Sequence, residues 1–521
     1  MSTTYGLHRS LLLNRSGTAI RFENRSRTWG ELGDRVARLA GALRSLGVAR
    51  GDRVAVLMLN QDRYLELYLA VAWLGAVIVP LNIRWSALEN EDAIRDCGPK
   101  ILVADAAFAA MANQLAGKIG SIRLVYADDA PNPAGSAGML DFEDLLAKAP
   151  PIEDAQVPDS ELCGIFYTGG TTGRSKGVML SHGNLMSNSR NMLAEGLVSK
   201  RGTYLHAAPM FHLADVAATY VHFLAGSSHG IVRMFTPEAT AQAIEKFKIT
   251  ETLLVPTMIQ MLVDHPSLAK HDVSSLQNVL YGASPISEAV LDRAMAKLPH
   301  TKFQQAYGMT ELSPCATILP WEDHIGEGRA KGRHRSGGRP TYMVDVRIVD
   351  GDDKPVPRGT VGEIVARGET VMMGYWERPE ETARAVVDGW MHTGDGGYMD
   401  EDGYVYIVDR IKDMIVSGGE NVYSAEVENC IAQHSAVAQC AVIGIPSEQW
   451  GEQVHAVVMR KPGAEVMPED IIAFCKQRIA GYKCPRSVKI QDEPLPLSGA
   501  GKILKRDLRA PYWEGKTCAV N

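Results

Sequence analysis

The sequence predicts an α/β protein in two parts: a large N-terminal domain with parallel sheets and a β-rich subdomain, then a small α+β C-terminal domain. Three observations carry this expectation. The chain has 521 residues, more than a single hydrophobic core organises. Apolar residues switch between helical and strand spacing through the first part of the chain, as in βαβ units. Beyond about residue 340 the apolar period becomes two, and mixed helix and strand spacing returns only after a charged break.

From Trp29 to Val48, the residues Leu32, Val36, Leu39, Leu43 and Leu46 recur at helical spacing and predict an amphipathic helix. Arg53 to Met58 then reads as a strand, Tyr64 to Leu74 as a second helix, and Val77 to Leu81 and Ile101 to Ala104 as further strands. Such alternation favours a parallel sheet covered by helices. Ala130 to Gly138 is too poor in apolar residues to pack and predicts a surface loop. Val344 to Val349 and Gly403 to Val408 alternate as half-buried strands of the β-rich subdomain. The charged segment Asp409-Arg410-Ile411-Lys412-Asp413 marks the domain boundary, giving domains of residues 1–409 and 410–521. Within the second, Val437 to Ile443 and Val454 to Met459 predict strands.

Composition narrows the function classes. Lys and Arg number 54 against 61 Asp and Glu, a net charge of -7, which argues against a nucleic-acid scaffold and leaves room for small anionic ligands. The 8 cysteines are scattered without a C-x-x-C pair or a zinc-like grouping, and read as the reduced thiols of a cytosolic enzyme. No apolar run approaches membrane-spanning length, so a soluble, cytoplasmic protein is expected, with formation of a homodimer left open.

The chemistry concentrates in four segments. Thr168-Gly169-Gly170-Thr171-Thr172-Gly173-Arg174-Ser175-Lys176 follows the strand-like Leu162 to Tyr167 and joins flexible backbone, hydroxyl donors and one lysine. Successive backbone N–H groups there turn toward one anion, which makes the loop a phosphate cradle, although its spacing is not that of a Walker loop. Gln305 to Glu311 sets an aromatic face, Tyr307, beside a close-approach glycine, Gly308, and then Met309, the hydroxyl of Thr310 and the carboxylate of Glu311. That set suits a nucleotide and a Mg²⁺ ion bridging its phosphates. Asp395 stands among glycines in Gly389 to Gly397, where a carboxylate can accept two ribose hydroxyls. Lys502 follows the flexible, uncharged Leu497-Ser498-Gly499-Ala500-Gly501 and can be delivered to a site on another domain. Each segment alone has an ordinary alternative, namely a surface loop, a helix cap, a β-turn aspartate and a solvated lysine.

Together and in this order, these segments resemble the adenylate-forming superfamily of acyl-CoA synthetases, peptide-synthetase adenylation domains and luciferases. The resemblance implies a large AMP-binding domain carrying the acid and ATP sites, and a small mobile domain carrying a catalytic lysine. It implies that Thr168 to Lys176 wraps the ATP phosphates, Thr310 contacts the α-phosphate, Glu311 binds Mg²⁺, and Tyr307 lies against adenine. Asp395 and Arg410 then hold the ribose. Lys502 bridges the acid carboxylate and the α-phosphate, neutralising charge where an anion attacks an anion. Lys412 matches the hinge about which the small domain rotates before the thiol attacks. Two departures stand out: Gly170 replaces a usual serine, and the residues before Lys502 lack the usual charged and Asn-Pro-Thr pattern.

The same resemblance locates an acid pocket at His212, with Asp215 nearby, and along Gly282-Ala283-Ser284-Pro285 and Met309. His212 stands where amino-acid-activating relatives carry an aspartate, and no arginine in these stretches pairs a second carboxylate. A monocarboxylic acid with an apolar body fits, a fatty acid first and an aryl or cinnamic-type acid as the alternative. Asp215 either touches a polar substrate group or serves as a solvated or capping residue. Coenzyme A is the expected acceptor, with Gly418 and Gly419 lining its channel and Lys483 and Arg486 meeting its phosphates. A carrier protein as acceptor, a luciferase-like oxidase, and a nucleotide-binding module without chemistry remain as rivals.

Overall fold

Trp29–Ser45 forms the first long helix, and its sequence shows why. Thr28 accepts a hydrogen bond from the Glu31 N–H while the Glu31 carboxylate accepts from Thr28, closing a capping box. Leu32, Val36, Leu39 and Leu43 are buried along one face. The helix stops short of Val48 because Gly47 turns at a φ of 84°. Asp62–Leu74 is buried on every side and ends at Gly75, with a φ of 73°. The computed structural model describes residues 1–132, 138–168, 175–284, 286–410, 413–417, 420–447, 449–498 and 502–514. Residues 133–137 of the expected loop at Ala130 to Gly138 lie outside them.

Two large sheets carry the N-terminal domain. In one of eight strands, Arg53–Leu57 pairs in parallel with Val77–Pro80 and with Ile101–Ala104, and Leu162–Thr168 lies beside Val77–Pro80. In the other, of nine strands, Thr203–His206, Glu251–Leu254, Asn278–Gly282 and Lys302–Gly308 run parallel in sequence order. These strands are mostly apolar and buried because helices cover both faces. A five-stranded antiparallel sheet follows, including Val344–Val349, Gly362–Gly368 and Trp390–Met399. Val405–Arg410 pairs with Trp390–Met399, so the N-terminal sheet extends one residue past the expected limit at 409. The strand begins at Val405 rather than Gly403, whose φ of 85° belongs to the preceding turn.

The C-terminal part has its own five-stranded sheet and its own apolar core. Val437–Ser447 pairs antiparallel with Gly451–Arg460, and Ser487–Gln491 adds in parallel. Both central strands run longer than the sequence predicts, since a wide hairpin continues their pairing to Ser447 and Gly451.

Candidate active site

A cleft of about 2200 Å³ opens between the large sheets and the small domain. Thr168, Lys176, His212, Gly282, Ala283, Ser284, Tyr307, Gly308, Met309, Thr310, Glu311, Asp395 and Lys502 all line it. Residues separated by hundreds of positions therefore share one cavity.

The segment expected to cradle phosphate lies between two paired strands. Leu162–Thr168 and Lys176–Ser181 pair antiparallel with Thr168 opposite Lys176, which sets both at the cleft. Gly169, Gly170, Thr171, Thr172 and Gly173 lie outside the described residues. A strand, Lys176–Ser181, rather than a helix follows this segment. Lys176 is ion-paired with Glu381 and sits 5.0 Å over the centre of the Tyr375 ring. The Tyr375 hydroxyl donates to Glu311 Oε1 at 2.9 Å. Burial, then the Glu311 charge, push the Tyr375 phenol well above its ordinary pKa, so it remains a donor.

Lys302–Gly308 delivers Tyr307, whose hydroxyl donates to Asp395 Oδ2 at 2.8 Å. Asp395 lies opposite Arg410 in the paired strands. Gly308 is required by close approach, since a Cβ there would stand 1.8 Å from the Pro314 carbonyl oxygen. The chain then turns through Thr310–Leu312, which buries Glu311 at the cleft wall.

His212 caps the helix Leu213–Ala225, its Nδ1 accepting the Ala214 N–H at 3.3 Å. Burial, reinforced by the Lys502 charge, lowers His212 to a pKa of about 4, so its imidazole is neutral at ordinary pH. Along this helix Ala214 and Ala217 face the cleft. Asp215 does not, which corrects its expected place in the substrate pocket. One helical step of about 100° turns it into the protein, where it is fully buried. It accepts from Tyr204 at 3.0 Å and from His206 Nδ1 at 2.7 Å. His206 Nε2 in turn meets His229 Nδ1 at 2.9 Å.

Gly282, Ala283 and Ser284 form another wall, with Ala283 at a φ of 66°. Pro285 lies outside the described residues. Met192 and Cys315 line the cleft and are backed by a packed cluster with Leu197, Val221 and Ile318.

Of the expected thiol-side residues, Lys483 and Arg486 do not line this cleft. Lys483 pairs with Glu426 at 2.8 Å, and Arg486 stacks 4.1 Å over the Trp450 ring. Gly418, Gly419 and the expected hinge Lys412 lie outside the described residues. Sequence reasoning missed Tyr375 and Glu381. Tyr375 beside Gly374 and Glu381 in the first turn of Pro379–Ala385 carry no local signal of contact with Glu311 or Lys176.

Carboxylates, Lys176 and an aromatic ring thus share one large cleft, to which the second domain contributes Lys502. That arrangement defines a two-domain adenylate-forming enzyme. Residues 11–376 match the AMP-binding enzyme family model and residues 426–502 the AMP-binding enzyme C-terminal domain. Over 500 residues the chain is 41% identical to a feruloyl-CoA synthase of an Amycolatopsis species, covering 95% of this chain and 96% of that protein. It is 36% identical over 504 residues to the medium/long-chain-fatty-acid–CoA ligase FadD8 of Mycobacterium tuberculosis, covering 95% and 87%. ATP-bound MatB from Rhodopseudomonas palustris has the same fold, with a TM-score of 0.87 and 31% identity over 98% of this chain and 99% of that one. The chain belongs to the AMP-binding enzyme family and is an acid–thiol ligase that uses ATP and coenzyme A.

Proposed function

We propose that the protein activates an arylpropenoic acid of the ferulic type, forming acyl-adenylate and pyrophosphate and then acyl-CoA and AMP. The observation that carries this chemistry is the convergence of Lys176, Glu311, Asp395 and Lys502 on one cleft. Lys502 supplies positive charge between the acid carboxylate and the α-phosphate, where two anions must approach. Lys176 and the loop donors hold the outer phosphates, and Asp395 with Arg410 holds the ribose. Neutral His212 adds no competing charge beside Lys502.

Mg²⁺ fits the site. Among the described residues no cluster of three or more His, Cys, Asp or Glu forms a cage for a metal. A single buried carboxylate, Glu311, suits an ion that takes most of its ligands from phosphate and water. Bound there, Mg²⁺ would neutralise phosphate charge.

The acid class is supported by likeness to the feruloyl-CoA synthase and by the pocket walls. The lining from Met192 to Ile286 contains no lysine or arginine, which disfavours a second carboxylate on the substrate. Ala214 and Ala217 leave width for a ring, and the packed cluster behind Met192 and Cys315 limits length. A fatty acid is the second reading, favoured by likeness to FadD8. For thioester formation the small domain rotates about Lys412, bringing Gly418 and Gly419 to the pantetheine and Lys483 and Arg486 toward the CoA phosphates. The test is AMP release with ATP, Mg²⁺ and CoA across ferulic, cinnamic, benzoic and straight-chain fatty acids. CoA-dependent turnover highest with the arylpropenoic acids is expected; a preference for long-chain acids would reverse the substrate assignment.

A further inference from the structure

We infer that Arg84 is a positioning residue for the adenylation half-reaction, a latch that holds the bonded Ser498–Lys502 pair of the small domain against the large one. This role rests on the acid–CoA ligase chemistry proposed above. Arg84 Nη1 donates to the Ser498 carbonyl oxygen at 2.7 Å, across 414 positions of sequence. Arg84, Ser498 and Lys502 all have atoms on the wall of the interdomain cleft.

Both ends of the latch are fixed. On the large domain, Arg84 follows the buried strand Val77–Pro80 and precedes the helix Ala87–Cys97. Its N–H donates to Asn82 Oδ1 at 3.0 Å, and the Trp85 N–H to the Asn82 carbonyl at 3.1 Å. Ser86 then opens the helix with a capping box to Glu89. The guanidinium therefore projects from a turn bonded on both sides.

On the small domain, the carbonyl it holds belongs to Ser498, which is hydrogen-bonded directly to Lys502. The Ser498 N–H donates to the Lys502 carbonyl at 2.7 Å, and the Lys502 N–H to Ser498 Oγ at 3.1 Å. Leu497 and Ile503 form an antiparallel bridge, and the Leu504 N–H donates to the Pro496 carbonyl at 2.8 Å. Fixing Ser498 thereby fixes the backbone from which the Lys502 side chain reaches the His212 end of the cleft.

Two features separate this contact from an ordinary surface arginine. Among the described residues Arg84 makes no ion pair, so its anchored partner is this main-chain carbonyl rather than a carboxylate of its own domain. Rotation of the small domain must also break the bond, because its two ends lie on different bodies. A second bond across the cleft, Gln260 Nε2 to the Ala438 carbonyl at 3.1 Å, touches the small domain away from the Ser498–Lys502 pair and remains in an Arg84 variant.

The latch biases the domain arrangement that presents Lys502 to the acid and the α-phosphate, and has no part in thiol attack after rotation. Losing one hydrogen bond of this kind shifts the arrangement by about tenfold. The experiment compares the two half-reactions in Arg84→Ala and Arg84→Lys. Ferulate-dependent ATP–pyrophosphate exchange reads adenylation, and single-turnover thioester formation from synthetic feruloyl-adenylate and CoA reads transfer. Expected are an exchange rate about tenfold lower in Arg84→Ala, transfer at the wild-type rate, unchanged ATP affinity, and substantial rescue in Arg84→Lys, which keeps a cationic donor. Equal losses in both half-reactions, loss in transfer alone, or no loss in exchange would overturn the assignment. Energy transfer between fluorophores on the two domains supplies a readout without substrate. Arg84→Ala should depopulate the wild-type distance, and an unchanged distribution would refute the latch even if ferulate proved not to be the substrate.

Discussion

Replacing Asp215 separates two roles that its position in the chain confuses. The carboxylate is fully buried and holds Tyr204 at 3.0 Å and His206 at 2.7 Å. Asp215→Ala removes both acceptors at once, leaving a phenol and an imidazole N–H unsatisfied in a dry interior. Removing one partner from such a buried polar pair costs about 3–5 kcal/mol. For a domain of this size each kcal/mol moves the thermal midpoint by roughly 1–2 °C, so a fall of about 3–10 °C is expected. Asp215→Asn should fall less, since its carbonyl still accepts from Tyr204 while its amide faces the His206 donor. Differential scanning fluorimetry measures the shift, and KM for the acid on the folded fraction is the control. Because Ala214 and Ala217 rather than Asp215 face the cleft, that KM should hold within about twofold. An Asp215→Ala protein with unchanged melting and a strongly raised KM would refute this account and restore Asp215 to the substrate pocket.

Lys502→Ala should slow acid-dependent ATP–pyrophosphate exchange by about 10²–10³-fold while ATP binding, followed by calorimetry, is largely retained. Gly308→Ala must displace the Pro314 backbone, which has no flexible side chain to yield, and should weaken ATP binding at least tenfold through the shifted Thr310–Leu312 turn. Acid should destabilise the fold. His182, His212, His324 and His455 are each lowered by burial to about 4 from an ordinary 6.5. The unfolded chain takes up protons below 6.5 that the folded chain refuses until about 4. Stability is therefore present above pH 6.5 and falls as pH drops from 6.5 to 4, by at most about 1.4 kcal/mol per unit for each histidine. Melting curves from pH 7.5 to 4.5 check this, and a flat midpoint across that range would contradict it.

Much of the site was legible because its chemistry needs unusual local composition. Glycines at 308 and 282 are forced by backbone oxygens 1.8 and 2.2 Å from any Cβ, so they stand out in sequence beside the groups they serve. Strand runs such as Val344–Val349 were legible for a similar reason, since a half-buried antiparallel strand must alternate. What escaped depended on rotation or on distance along the chain. Asp215 lies in an apolar run beside a pocket residue, and only the phase of the helix beginning at Leu213 turns it inward. Tyr375 reaches Glu311 across 64 positions, and Glu381 reaches Lys176 from another element, contacts that no local spacing encodes. Arg410 closes the strand paired with Trp390–Met399, inside the charged segment that the sequence marks as the boundary.

That pairing has a mechanical consequence. Asp395 pairs with Arg410 across adjacent strands, and Arg410 is the last residue of its strand. The expected pivot, Lys412, hangs two residues from the strand on which the ribose would rest. A nucleoside held there, as proposed above, would stiffen the strand next to the proposed hinge. On that proposal, departure of AMP frees the small domain to swing back, and the resetting of the enzyme between turnovers should keep pace with nucleotide release.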